Sequence, residues 1–146
     1  MPRPRPSERH DADADQWRQL TEAVRDAGQY PTLAEAERVT RIVLSALGGH
    51  VIGDERVELA RVLPREAARV VASQIPATRP LTASEFVDSV AARIEGATPA
   101  TARWDVSSVL SVLADQIDDN LLTRILNHLP PGYALLFGRA HLSPAR

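Results

Sequence analysis

Hydrophobic residues recur along this chain at intervals of three and four, which is the spacing of one face of an α-helix. The segment 33–48 shows the pattern most clearly, because its apolar stripe follows Thr32 and ends at Gly48-Gly49. A second stripe of the same kind occupies 99–116 behind Thr98. The pattern predicts two long helices that form the core pair of the fold, where each buried Leu or Val side chain contributes roughly 1.5–3 kcal/mol.

Shorter stretches with the same periodicity predict further helices around these two. Glycine and proline residues separate the stretches, as expected at helix ends. Thr32 with Glu35, and Thr82 with Glu85, have the spacing of capping boxes, in which each side chain satisfies a free backbone N–H. The predicted shorter helices cover about 13–27, 54–63, 65–75, 82–95, 118–129 and 133–137.

The two halves of the chain match each other without a gap when the sequence is shifted by 66 residues. The match keeps the helix cap, the apolar stripe and the Leu-Pro break together, which shared alanine content alone does not explain. The matched positions include Thr32 with Thr98, Val43-Leu44-Ser45 with Val109-Leu110-Ser111, and Leu63-Pro64 with Leu129-Pro130. The sequence therefore predicts an all-α fold: a compact bundle of about eight helices, built from two tandem four-helix repeats related by pseudo-twofold symmetry.

The predicted organisation is one folded domain with short flanking segments. Residues 1–12 contain three prolines and three arginines, and too little apolar surface to order themselves, so they are interpreted as a disordered leader. Two prolines within residues 76–81 indicate a linker. The first repeat is then 13–75 and the second 82–138, and residues 139–146 form a frayed tail.

Composition narrows the possible functions. The 146 residues include no cysteine, which excludes disulfides, thiol catalysis and thiolate metal sites. The net charge of −2 argues against an overall electrostatic attraction to nucleic acid. All 17 basic residues are arginine and alanine is the most abundant residue, a bias typical of high-GC bacterial genomes. No apolar run approaches the ~18 residues of a membrane span, and the N-terminus has no apolar signal core, so we expect a cytoplasmic protein without membrane contact.

The pattern contains no catalytic, cofactor-binding or metal site, so we expect neither an enzyme nor a bound cofactor. The four histidines, His10, His50, His128 and His141, do not have the spacing of a helical metal pair. Asp118-Asp119-Asn120 lacks the glycine and glutamate of a calcium loop, and N-capping is the favoured interpretation. Arginines of the first half alternate with acids at helical spacing, which favours ion pairs within helices over a basic nucleic-acid face.

Trp104 is offset from the apolar stripe of its predicted helix. Such a tryptophan is more often a core or interface anchor than a cofactor-stacking residue. Because its position turns it away from the stripe, Trp104 is the candidate for an exposed contact with a partner.

The segment Leu129-Pro130-Pro131-Gly132-Tyr133-Ala134-Leu135-Leu136-Phe137, together with Glu85-Phe86-Val87-Asp88-Ser89-Val90-Ala91, resembles the prokaryotic domain-of-unknown-function family numbered 2267. The resemblance covers about residues 14–138, and the second half fits better, since Ala67 and Val71 stand where the second half has Tyr133 and Phe137. It implies a helical fold with tandem repeats and no assigned activity, so no catalytic or ligand residues are carried over.

Three functional hypotheses follow. The first is a non-catalytic helical module that binds an unknown protein partner or itself, with Trp104 as the possible contact. The second is a nucleic-acid-binding helical protein, which the neutral arginine-rich segment disfavours. The third is a small-ligand binder with a pocket between the two repeats.

Overall fold

The structure is a computed structural model that describes the backbone of residues 6–139 and the side chains of residues 12–139. Over this range the chain forms eight helices and no β-strand, which confirms the predicted all-α class. The helices are α1 (Pro6–Gly28), α2 (Leu33–Gly48), α3 (Gly53–Val62), α4 (Arg65–Ala72), α5 (Ala83–Ala91), α6 (Pro99–Gln116), α7 (Asp119–Asn127) and α8 (Tyr133–Leu136). Within residues 6–139, no helix combines the length and the apolar character needed to cross a membrane.

The first helix begins earlier than the sequence pattern predicted. α1 starts at Pro6 rather than near Asp13, so residues 6–12 of the predicted leader are helical. Proline fits the first turn of a helix, and the acidic residues that follow it are favoured by the positive end of the helix dipole. Residues 1–5 of the predicted leader and 140–146 of the predicted tail lie outside the described residues.

Two of the helix starts show how local the folding signal is. At α5 the predicted capping box is complete, because Thr82 and Glu85 each accept a hydrogen bond from the other's backbone N–H. At α2 only half of the predicted box forms: the Thr32 hydroxyl accepts from the Glu35 N–H at 3.2 Å, without the reciprocal bond. A cap of this kind stabilises a helix by typically ~1 kcal/mol.

The two long helices α2 and α6 lie at the centre of the bundle and pack against each other, as the apolar stripes predicted. α1 packs on both of them, and so does α5 from the second half. α4 packs on α2, α8 packs on α6, and α3 contacts α7. The largest fully buried side chains are Tyr133, Phe86, Phe137 and the leucines at 20, 44, 47, 59, 110, 113 and 136.

Two of the four pairs of corresponding helices begin at corresponding positions. α2 and α6 start at Leu33 and Pro99, and α3 and α7 start at Gly53 and Asp119, which are in both cases 66 residues apart. The pseudo-twofold relation between the halves stays a prediction.

The expectation that arginines of the first half pair with acids within their own helices is wrong for Arg41 and Arg65, whose partners lie on other helices. Glu35 and Arg38 do pair along α2, at 3.8 Å. Arg41 of α2 contacts Glu66 of α4 at 2.6 Å, and in the second half Arg124 of α7 contacts both Glu55 and Glu58 of α3. The charged residues thus hold helices together, which a pattern along a single helix does not reveal.

Arg56 on α3 has no acidic partner among the described residues and instead donates to backbone carbonyls. The last carbonyls of a helix have no partner within the helix, and a cation there also meets the negative end of the dipole. One guanidinium therefore caps the C-terminal ends of both α2 and α4. Its acceptors are the carbonyl oxygens of Gly48, Val51 (3.3 Å), Val71 (2.9 Å), Ala72 (3.0 Å) and Gln74 (2.7 Å).

We expect Arg56→Ala to lower the free energy of unfolding by roughly 1.5–3 kcal/mol, the range for hydrogen bonds that involve a charged group. Arg56→Lys should lose a smaller part, because an ammonium keeps the charge but not the planar fork. Urea denaturation measures both values. The control is Arg61→Ala, which removes an exposed arginine from the same helix. Equal losses for the Arg56 and Arg61 variants would contradict the capping role.

Candidate functional site

The predicted contact residue Trp104 lies in the first half of α6 and is 54% exposed. Its indole Nε1 donates a hydrogen bond to the carbonyl oxygen of Gly28, at the end of α1, at 2.9 Å. This bond restricts the orientation of a ring that would otherwise be free on the surface. An exposed and pre-oriented tryptophan loses little further conformational entropy when another surface covers it.

Behind Trp104, a tyrosine and an aspartate join the loop after α1 to α6. The Tyr30 hydroxyl donates to Asp105 Oδ1 at 2.5 Å. The Tyr30 ring also packs so closely on Gly28 that a Cβ at that position would overlap it. Gly28, Tyr30 and Asp105 therefore fix the backbone carbonyl that orients Trp104.

The charge states in this pair follow from burial. Burial raises the pKa of the Asp105 carboxyl above its ordinary value of 3.8; the hydrogen bond from Tyr30 opposes the rise, and the negative charge of Glu35 adds to it. Burial, followed by the hydrogen bond to Asp105, raises the pKa of the Tyr30 hydroxyl well above its usual range. Tyr30 thus stays a neutral hydrogen-bond donor and is suited to positioning rather than to proton transfer.

A groove of about 440 Å³ lies beside the first turns of α6 and is bounded by α5, α6 and α8. Val87 and Leu136 form its buried apolar surface, and Leu135 is 52% exposed at its edge. Asp88 and Arg103 supply opposite charges, and both side chains are exposed. The lining residues are Ala83, Ser84, Val87, Asp88, Pro99, Ala100, Arg103, Gly132, Leu135 and Leu136.

The groove depends on a glycine at the start of α8. Gly132 has a φ of +100°, a left-handed conformation that residues with a side chain rarely adopt. A Cβ there would also come within 3.1 Å of the Ala83 Cβ. Small residues on both sides therefore keep this part of the groove open.

Trp104 and the groove are neighbours on the same helix, because Arg103 lines the groove and Trp104 follows it. We call Trp104 together with the ten groove residues the α6 surface. The sequence pattern singled out only Trp104 in this surface. The Tyr30–Asp105 pair joins residues 75 positions apart, and no local pattern predicts it.

A second cavity, of about 320 Å³, lies between α1 and α4. Its lining residues are Asp13, Ala14, Trp17, Arg65, Glu66 and Arg69. Each cavity is therefore lined by residues of one half only: the groove by the second half, and the second cavity by the first half. Neither is the pocket between the halves that the small-ligand hypothesis requires, and that pocket stays a prediction.

The described residues with side chains that could ligate a metal, Asp118, His128 and His50, each contact another residue of the chain. Asp118 caps α7 by accepting from the Leu121 N–H at 2.7 Å, which is the favoured interpretation of that acidic run. His128 Nε2 lies 3.3 Å from Glu55. The rings of His50 and Phe86 pack edge to face, with their centroids 5.8 Å apart. Burial lowers the pKa of His50, and the positive charge of Arg93 lowers it further.

Among the side chains that the structure describes, no group of three or more His, Asp or Glu residues is placed to hold a metal ion. The side chains of His10 and His141 lie outside that part of the chain.

The comparisons with known proteins identify a family without assigning an activity. The sequence model of a family described as "Uncharacterized conserved protein (DUF2267)" matches residues 17–136. No curated protein matches the chain significantly. The match covers α1 from Trp17 onwards and all the later helices, so it includes both the core pair and the α6 surface.

We expect Asp105→Asn to be at least as stable as the wild type at pH 7. The raised pKa means that the buried carboxylate costs stability when it is charged, and this cost is relieved as the pH falls through the folded-state pKa towards 3.8. The amide oxygen can still accept from Tyr30. The difference between the Asn variant and the wild type should therefore shrink between pH 7 and about pH 4.

Urea denaturation at both pH values measures this difference. Asp115→Asn, at an exposed position of the same helix, is the matched control. An Asn variant that is less stable at pH 7, by an amount that does not change towards pH 4, would contradict the assignment.

Proposed function

The chain belongs to the DUF2267 family of uncharacterised conserved proteins, and we propose that it is a non-catalytic helical module that binds a protein through its α6 surface. The observation that carries the proposal is Trp104, a half-exposed indole whose orientation is fixed by its hydrogen bond to Gly28. The protein bound is either an unrelated chain or a second copy of this one.

The composition of the α6 surface supports this proposal. Tryptophan is among the residues that most often dominate binding energy at protein interfaces, especially beside a pocket from which water can be excluded. The groove next to Trp104 has an apolar base and carries Asp88 and Arg103 with opposite charges. An apolar centre with polar groups at its edge is the usual anatomy of an interface.

The titratable groups with raised pKa values support a non-catalytic role, because each already has a structural partner. Tyr30 and Asp105 bind each other. The Tyr133 hydroxyl donates to the Leu81 carbonyl oxygen at 2.8 Å, and burial raises its pKa to about 12. This bond attaches the end of the proline-containing linker to α8. These groups are used to hold elements together rather than to face a substrate.

The nucleic-acid hypothesis is weaker because several of the relevant arginines are engaged. Arg41 and Arg124 contact acids on neighbouring helices, and Arg56 caps two helix ends. A nucleic-acid interface needs arginines on one face that are free to reach phosphates. The arrangement of these three therefore favours a structural use of the arginines.

Site-specific photo-crosslinking tests the proposal. We expect a benzophenone analogue of phenylalanine at position 104 to give, in the native cell, adducts of discrete mass that contain protein. The same probe at Val62, which is exposed to a similar extent on α3, should not give them. Adducts with nucleic acid at position 104 would favour the second hypothesis. No adduct, or the same adducts at both positions, would contradict binding through the α6 surface.

A further inference from the structure

The groove beside Trp104 and the cavity between α1 and α4 occupy corresponding places in the two halves of the sequence. Trp17, Glu66 and Arg69 line the first-half cavity. The residues 66 positions later, Ala83, Gly132 and Leu135, line the groove. A comparison of these positions therefore shows what each half places in an equivalent space.

The side chain at the position of Trp17 is much smaller in the second half. Trp17 is only 8% exposed, and the guanidinium carbon of Arg41 lies 4.8 Å from the centre of its ring. Ala83 takes its place in the second half, and the opening there is larger, about 440 Å³ against about 320 Å³. Tyr133 and Phe137 in turn stand where the first half has Ala67 and Val71, so the two halves distribute their aromatic side chains differently around this space.

The second half carries a tryptophan at a different position, Trp104, on the surface beside the groove. The position of Trp104 corresponds to Arg38, an exposed residue that pairs with Glu35. The change from a solvated arginine to a half-exposed tryptophan adds apolar surface next to the groove.

From this arrangement, and resting on the proposed function, we propose that the protein bound by the α6 surface is a second copy of this chain. Two copies pair about a twofold axis through their second halves. Trp104 of each copy then packs against the groove between α5, α6 and α8 of the other.

The adjacency of tryptophan and groove is what favours a second copy over an unrelated chain. An interface with twofold symmetry uses the same surface on both subunits, so every feature must find its complement within that surface. Arg103 lines the groove and Trp104 follows it on the same helix, so a twofold pairing can place each tryptophan against the groove of the other copy. An unrelated partner would need to supply its own complement to each feature.

The groove also carries two opposite charges, which can pair between two copies of the chain. Asp88 on α5 and Arg103 on α6 are both exposed, and over residues 12–139 neither takes part in an ion pair. In a twofold dimer, Asp88 of one copy faces Arg103 of the other, and the contact occurs twice. Exposed pairs contribute little affinity individually, but they orient the surfaces and disfavour other alignments.

Sedimentation equilibrium of the full chain, from about 1 μM to about 1 mM, tests the dimer. We expect the mass to rise from the monomer value of 15.9 kDa towards twice that value. Trp104→Ala removes the ring that packs against the groove, and Ala83→Trp places a bulky side chain in the groove. Each variant should weaken dimerisation at least tenfold. Val62→Ser, at an exposed position of α3, is the matched control and should leave dimerisation unchanged.

A charge exchange tests the alignment of the two copies. Asp88→Arg and Arg103→Asp should each weaken self-association, because like charges then face each other. An equimolar mixture of the two variants should restore a dimer with one chain of each kind, since opposite charges again meet at both contacts. Circular dichroism checks that each variant is folded. The mixing experiment does not use the tryptophan variants, so it still tests the proposal if one of them fails to fold.

A chain that remains a monomer up to about 1 mM would overturn the proposal, as would a dimer that neither Trp104→Ala nor Ala83→Trp affects. These results differ from a failure of the proposed function. A monomeric chain whose position 104 still forms an adduct with another protein keeps the proposed function and loses the dimer. A chain that forms no adduct at position 104 loses both.

Discussion

The packing of α2 against α6 is the contact on which the rest of the structure depends. Each of these helices carries a continuous apolar stripe, and a stripe of this length is stable in water only when another stripe covers it. α1 and α5 complete the coverage, because each contacts both central helices. The shorter helices then cover what remains, so no helix of the described bundle needs to be stable by itself.

The polar contacts give this apolar core a defined arrangement. α2 approaches α4 so closely that a Cβ on Gly48 would lie 2.6 Å from the Val71 carbonyl oxygen. Arg56 caps the ends of both helices at the same place, so the carbonyl oxygens of Gly48 and Val71 both have a donor there. No buried side-chain nitrogen or oxygen within residues 12–139 lacks a hydrogen-bond partner. A core with satisfied polar groups is rigid, and a rigid core can hold the carbonyl of Gly28 and the ring of Trp104 in fixed positions.

The features that the sequence predicted depend on neighbouring residues, whereas the features that it missed depend on residues far apart in the chain. The long helices, the cap at Thr82 and the break at Pro64 are encoded within a few residues, and their positions could be read directly. The exposure of Trp104 was also readable, because it follows from its angle to the stripe. The Tyr30–Asp105 bond and the groove join segments that are far apart in the sequence, so no local pattern contains them. The pairing of the first-half arginines was predicted correctly for Arg38 and wrongly for Arg41 and Arg65, because the partners of the latter two lie on other helices.

The positions where the halves differ help to choose between two ways in which copies of this chain could associate. If the halves correspond as the 66-residue shift predicts, Glu58 and Arg124 are equivalent residues, and they contact each other where α3 meets α7. Two first halves from different copies would bring two glutamates together at this contact, and two second halves would bring two arginines together. Such like-charge contacts are unfavourable, so the opposite charges favour the pairing of a first half with a second half over the pairing of two like halves. Association is then left to surfaces outside the α3–α7 contact, and the α6 surface combines an oriented tryptophan with a neighbouring groove.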